Sequence, residues 1–250
     1  MDSRPLWIKT VLRHLISQLI RHLNWQSLVG LKRKRIVTLK CRLCQSKSVD
    51  EFLEVERPFK AKYYICSNCD LVFLDETQLL ESKEERSQYS LHQNDKRDPG
   101  YVNFLFRSIG PTLRHIKPNF KGLDFGCGPY PMLVELMKEE GFDMDFYDPY
   151  FFPSQNLDKE YDFVISTEVV EHFNNPNKSW AELVSKVAEG GILSIMTSIR
   201  YQDIDFKSWH YRNDQTHISF YSEKTLEWIA THFNLELIDK EKNVAIFKKL

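Results

Sequence analysis

The chain has no apolar run near the roughly 20 residues that a membrane-spanning helix needs. Its first residues show no compact apolar stretch followed by a small-residue cleavage site, so a secretory signal is not expected and the cytoplasm is the default location. Net charge is almost absent: 34 Lys and Arg against 35 Asp and Glu give −1. That balance hides an asymmetry. Residues 1–40 carry nine basic residues and one acid, Asp2, for +8, which leaves −9 for the remainder. A body of that sign argues against a phosphate-tracking surface, so nucleic acid is not the expected partner.

Two further absences concern the stretch Gly122-Leu-Asp-Phe-Gly-Cys-Gly-Pro-Tyr-Pro131, which reads as a buried strand, a tight glycine turn and a helix start. A dinucleotide site wants Gly-x-Gly-x-x-Gly, because the pyrophosphate rests on a helix N-terminus. Here the third glycine position is Pro131, and no Gly-Lys-Ser/Thr follows to make a P-loop. Asp124, two residues before Gly126, would also face a phosphate dianion. What is present suits a different nucleoside. Gly126 and Gly128 let the backbone approach a ligand closely, and Asp148, one strand-helix-strand unit later, can take a ribose hydroxyl pair. S-adenosylmethionine (SAM) has no phosphate and carries an ammonium and a sulfonium, both of which a carboxylate favours.

Leu123-Asp124-Phe125-Gly126-Cys127-Gly128 resembles the first motif of class I SAM-dependent methyltransferases, with Tyr130 where that pattern usually has a third glycine. From residue 121 onward strands and helices alternate: strands at Gly122–Phe125, Asp143–Tyr147, Tyr161–Ser166 and Ile192–Met196, and a closing hairpin at Leu235–Asp239 and Val244–Lys248. Helices are expected at Met132–Glu140, around Lys178–Val187 ending at Gly190-Gly191, and at Glu223–His232. Alternation of this kind predicts a doubly wound, mostly parallel sheet with an antiparallel edge. The resemblance implies the seven-stranded Rossmann-like methyltransferase sheet. Its usual third strand is weak here, since residues 151–160 are short and polar.

Four of five cysteines form two pairs, Cys41-x-x-Cys44 and Cys66-x-x-Cys69; the fifth, Cys127, lies in the glycine turn. Thiolates at this spacing suit one tetrahedral zinc with two ligands from each knuckle, a closed and therefore structural site. The spacing predicts a small zinc ribbon over 41–75. Before it, residues 5–25 read as a basic amphipathic helix within an arm of residues 1–40. Packing on its own protein, peripheral contact with a membrane at its inner face, and nucleic-acid contact all suit such a helix. Residues 76–98 read as a polar linker or lid, and 99–250 as the methyltransferase domain.

The resemblance reaches further. Tyr161-Asp-Phe-Val-Ile-Ser-Thr-Glu-Val-Val-Glu-His-Phe173 is similar to the fourth-strand motif of the superfamily. Trp209-His-Tyr-Arg-Asn-Asp-Gln-Thr-His217 with Phe220-Tyr-Ser222, and Tyr89, His92 and Asn94, resemble segments of a bacterial subgroup that also carries a cysteine-paired N-terminal domain. The cofactor positions this implies are Asp124 to Gly128, Asp148, Thr167 and Glu168, joined by Tyr101 from the helix over 99–116. Ligands of such sheets sit outside the carboxyl ends of the strands. Methyl transfer needs alignment and exclusion of water, and a hydroxyl nucleophile also needs a base. His217, His172 and His92 are the candidates, with Asp214 or Tyr211 orienting the base or the substrate. The expected acceptor is a small molecule or a glycan or lipid precursor. An RNA or protein acceptor, or a SAM-binding module without catalysis, is the alternative.

Overall fold

In the computed structural model, residues 39–90, 98–153 and 158–250 are described. The arm helix expected at 5–25 and His92 lie outside them.

The central sheet has six strands in the order β5-β4-β6-β7-β10-β9. β4 is Lys121–Phe125, β5 Asp143–Tyr147, β6 Tyr161–Thr167, β7 Val187–Met196, β9 Leu235–Glu241 and β10 Val244–Lys249. β5, β4, β6 and β7 run parallel, and β10 and β9 form the antiparallel edge. The middle strands are apolar because both faces are covered. Phe163 and Ile165 of β6 pack with α2 (Pro99–Leu113) and α3 (Met132–Glu139), while Val164 between them faces Trp180 and Leu183 of α4 (Pro176–Ser185) and Ile229 of α5 (Glu223–His232). The helix starts follow from their caps. Asp98 accepts from the Gly100 amide at 2.8 Å with Pro99 at the first turn, and Ser222 and Thr225 form a capping box on α5.

The sheet therefore holds six strands among the described residues rather than seven. The link from β5 to β6 makes a turn closed by an Asp148–Phe152 bridge, too short a crossover for the additional strand. The Gly190-Gly191 pair also departs from expectation. Helix α4 stops at Ser185, and both glycines lie inside β7, where pairing with β6 shifts register between Tyr161 and Phe163. Gly190 has φ +74°, and a β-carbon on Gly191 would sit 2.9 Å from the Asp162 carbonyl oxygen. The pair builds a bulge: Gly190 supplies the left-handed backbone, and Gly191 leaves no room for a β-carbon.

A second sheet has the order β1-β2-β3-β8, with β1 Val49–Val55, β2 Ala61–Cys66, β3 Val72–Leu74 and β8 Ser219–Phe220. All pairs are antiparallel. Its last strand comes from far along the chain: Val72 pairs with Phe220 and Phe73 with Ser219. In the sequence, α1, Ser82–Tyr89, follows β3 and precedes α2; its one buried residue is Glu85.

Candidate active site and cysteine cluster

The carboxyl ends of β4, β5 and β6 open into one cavity of about 660 Å³. Gly126 makes the turn after β4 possible. Its φ is +87°, and an added β-carbon would lie 2.5 Å from a Val169 methyl. The Gly126 and Cys127 amides donate to the Tyr147 carbonyl at 2.8 and 3.1 Å, and the Gly128 amide donates to Asp148 Oδ2 at 3.0 Å. Asp148 Oδ1 accepts from the Tyr150 and Phe151 amides at 2.8 and 3.0 Å. Asp148 thus ties the glycine turn to the turn after β5, and its oxygens keep lone pairs for a ligand hydroxyl.

Asp124 lines the same cavity, is 4% exposed, and accepts no hydrogen bond from any described residue. Burial, with the nearby Asp148 charge, pushes its carboxyl up to about 8. Burial and Asp124 also raise the Tyr101 hydroxyl beside it. The Thr167 hydroxyl is buried without a partner. An unpartnered carboxyl and an unpartnered hydroxyl on the wall of one cavity fit a ligand that brings a cation and hydrogen-bonding groups, as SAM does.

Glu168, His172, Asp214 and His217 also line this cavity. Glu168 is held at φ +52°, its amide donating to the Met196 carbonyl at 2.8 Å. The Nδ1 atoms of His172 and His217 face the Thr216 and Tyr211 carbonyl oxygens at 2.9 and 2.6 Å. A carbonyl only accepts, so each Nδ1 carries the hydrogen and Nε2 is the acceptor nitrogen of the neutral ring. His217 Nε2 is 3.9 Å from Asp214 Oδ2. Burial pushes the Asp214 carboxyl up, but the Thr216 hydroxyl and amide, with His217 and His172 beside them, hold it below its ordinary value. The two imidazole centroids are 4.8 Å apart.

Tyr211 sits just behind this wall. Its hydroxyl lies between Glu168 Oε2, at 2.9 Å, and Glu171 Oε1, and Thr197 Oγ1 donates to Glu171 Oε2 at 2.9 Å. Glu171 is fully buried, and nothing in its position between two apolar residues and a histidine marked it as part of a site. Glu85 was equally hidden in a polar helix. It accepts from Tyr89 at 2.7 Å, Tyr150 at 2.6 Å and Asn174 at 3.2 Å, which ties α1 to the segments after β5 and β6 in the cavity lining.

The cysteines form a separate centre. Cys41, Cys44, Cys66 and Cys69 are free thiols whose sulfurs lie within 4.8 Å of one another, a donor set that suits zinc. The two knuckles repeat one geometry. Gln45 and Asp70, each just past its second cysteine, have φ of +60° and +62°, and their amides return to the Cys41 and Cys66 carbonyls at 3.0 and 2.8 Å.

A family model described as "Methyltransferase domain" matches residues 83–240, more than half of the chain. The chain belongs to this methyltransferase family. The protein is a SAM-dependent methyltransferase. A search of the curated proteins finds no match. Among solved structures, the methyltransferase is similar to 1,6-didemethyltoxoflavin-N1-methyltransferase from Burkholderia thailandensis, with bound 1,6-didemethyltoxoflavin and S-adenosylhomocysteine. That match has 11% identity, covers 80% of this chain and 99% of the other, and has a TM-score of 0.52. It is also similar to the N-methyltransferase NodS from Bradyrhizobium japonicum, with 12% identity, 66% and 97% coverage, and a TM-score of 0.43. At such identities the likeness is one of fold. Among the described residues, no helix is long and apolar enough to cross a membrane.

Proposed function

We propose that this methyltransferase acts on a small-molecule acceptor, a glycan or lipid precursor included, and methylates it at oxygen or carbon. The observation that carries this reading is the presence, in the lining of one cavity, of a buried partnerless carboxyl at Asp124 and a His217–Asp214 pair. A cavity of about 660 Å³ is within the range of small-ligand pockets, ~300–1,000 Å³. Tyr89, Tyr101 and Tyr150 give it aromatic walls that suit a compact acceptor.

SAM, when bound, supplies a methyl group on an electron-poor sulfur. Asp124 receives its ammonium, Gly126 to Gly128 leave room for its backbone-like end, and Asp148 takes its ribose hydroxyls. Tyr101, Phe125 and Thr167 line its path. His217 accepts the acceptor's proton at Nε2, with Asp214 steadying the resulting imidazolium. His172, and His92 in the segment before α2, are the further candidates for this step, and Tyr211 orients the wall. The four-cysteine ribbon over 41–75 is structural, and 76–98 is a linker or lid between it and the 99–250 domain in the sequence.

The test uses SAM labelled in its methyl group, added with purified protein to fractionated extracts of the source cells. Label in the small-molecule fraction, lost with Asp124→Asn, is the expected result. Label in RNA or protein overturns the acceptor class. Binding of S-adenosylhomocysteine with no transfer to any fraction overturns catalysis itself.

A further inference from the structure

Three oxygen-bearing groups behind the cavity wall share too few hydrogens. The Tyr211 hydroxyl lies 2.9 Å from Glu168 Oε2, is hydrogen-bonded to Glu171 Oε1, and is 3.1 Å from Thr197 Oγ1. The threonine hydrogen is directed to Glu171 Oε2. A phenol has one hydrogen, so it satisfies one carboxylate. The other carboxyl must carry a hydrogen of its own, or two anions stand side by side away from water. Among the described residues, no Lys or Arg forms an ion pair with either carboxyl. Arg107 acts on Glu168 from the exposed face of α2, and His172 Nε2 is 3.9 Å from Glu171 Oε1. The Nδ1 atoms of His172 and His217 are committed to carbonyls, and Asp214 is itself held ionised. Burial raises both glutamates above the ordinary carboxylate range. Glu168 lines the cavity; Glu171 is sealed behind it.

We propose that Glu168, Tyr211 and Glu171 form a proton store that matches the charge of the cavity. The pair of carboxyls holds one proton while the sulfonium cofactor is bound and two when the thioether product replaces it. This rests on the reading that the cavity binds SAM. In the transfer, the carbon–sulfur bond breaks with its electron pair left on sulfur, and the acceptor bonds to the methyl carbon. The acceptor's proton leaves through the base and ends on the carboxyl pair. One positive and one negative charge disappear together, so the closed cavity never holds an unbalanced charge. Glu168 faces the ligand, and Glu171 and Tyr211 are positioning residues that act through it.

Isothermal calorimetry in two buffers of different ionisation enthalpy tests this without any acceptor. It counts the protons released when SAM or S-adenosylhomocysteine binds, slightly below neutral pH. Both ligands carry the ammonium, so any proton displaced from Asp124 cancels between them. SAM is expected to release about one proton more than the homocysteine form. In Glu168→Gln the two counts become equal at ligand concentrations that saturate the variant, whatever its loss of affinity. Equal counts in the wild type, or a difference that survives Glu168→Gln, overturns the proposal. In the wild type, infrared difference spectra should show a protonated-carboxyl carbonyl band that is stronger in the S-adenosylhomocysteine complex; its absence also overturns it. Failure of both ligands to bind removes the SAM reading beneath the proposal, and is told apart by the missing binding heat.

Discussion

The pH dependence of product binding follows from one carboxyl. Asp124 is buried beside Asp148, and its carboxyl titrates near 8 rather than in the ordinary carboxylate range. Its pKa is raised, so around neutrality the empty site holds a proton there. An ammonium ligand favours the ionised form, so binding must displace that proton. Affinity therefore rises with pH up to the raised pKa and falls below it. About half of the molecules are ionised at pH 8 and about one in a hundred at pH 6. S-adenosylhomocysteine should thus bind roughly fifty-fold more weakly at pH 6 than at pH 8, a difference of about 2.3 kcal/mol. This ligand isolates the effect, because it carries the ammonium and lacks the sulfonium. Calorimetric titration across pH 6–8, in wild type and in Asp124→Asn, measures it. A flat profile in the wild type, or the same slope in Asp124→Asn, would refute the assignment of the cation to Asp124.

Three further outcomes are expected. Gly126→Ala places a β-carbon against Val169 at positive φ, and should lower stability by about 3 kcal/mol in a denaturant titration. Cys66→Ser should lose a single bound zinc by mass spectrometry and lower stability by about 3 kcal/mol or more, since metal binding to such a cluster is folding free energy. Glu85→Ala leaves the Tyr89, Tyr150 and Asn174 donors without their shared acceptor. It should cost about 2 kcal/mol, and protease should cut within residues 82–90 faster while cysteine-bound zinc is unchanged.

The central strands and their helices were legible because short segments rich in apolar and aromatic residues alternated with amphipathic stretches, and because the glycine turn fell at the end of the first of these strands. The Gly190-Gly191 pair was misleading. A glycine after an amphipathic stretch usually ends a helix, but here the helix had already stopped at Ser185 and the glycines serve a bulge in β7. Strand β8 was illegible in principle. Two residues carry no periodicity, and its partner β3 lies in another part of the sequence. In the site, Asp124, Gly126, Asp148, Glu168, His172, Asp214 and His217 were all singled out, and the fold brings them to one cavity. Glu85 and Glu171 were not, because a carboxylate's role here depends on which tyrosine reaches it, and Tyr150 and Tyr211 come from distant segments.

The pairing of β3 with β8 also bears on how the chain is made. The cysteine knuckles are synthesised well before β8, yet β3 keeps an open edge until Ser219 and Phe220 have been added. Leu74 then takes the Ile218 carbonyl at 3.0 Å, one residue past His217. The cysteine module is thus finished by a segment made far downstream of it, and the same step sets the candidate base in its place. A nascent chain that has not closed that edge has no complete active site.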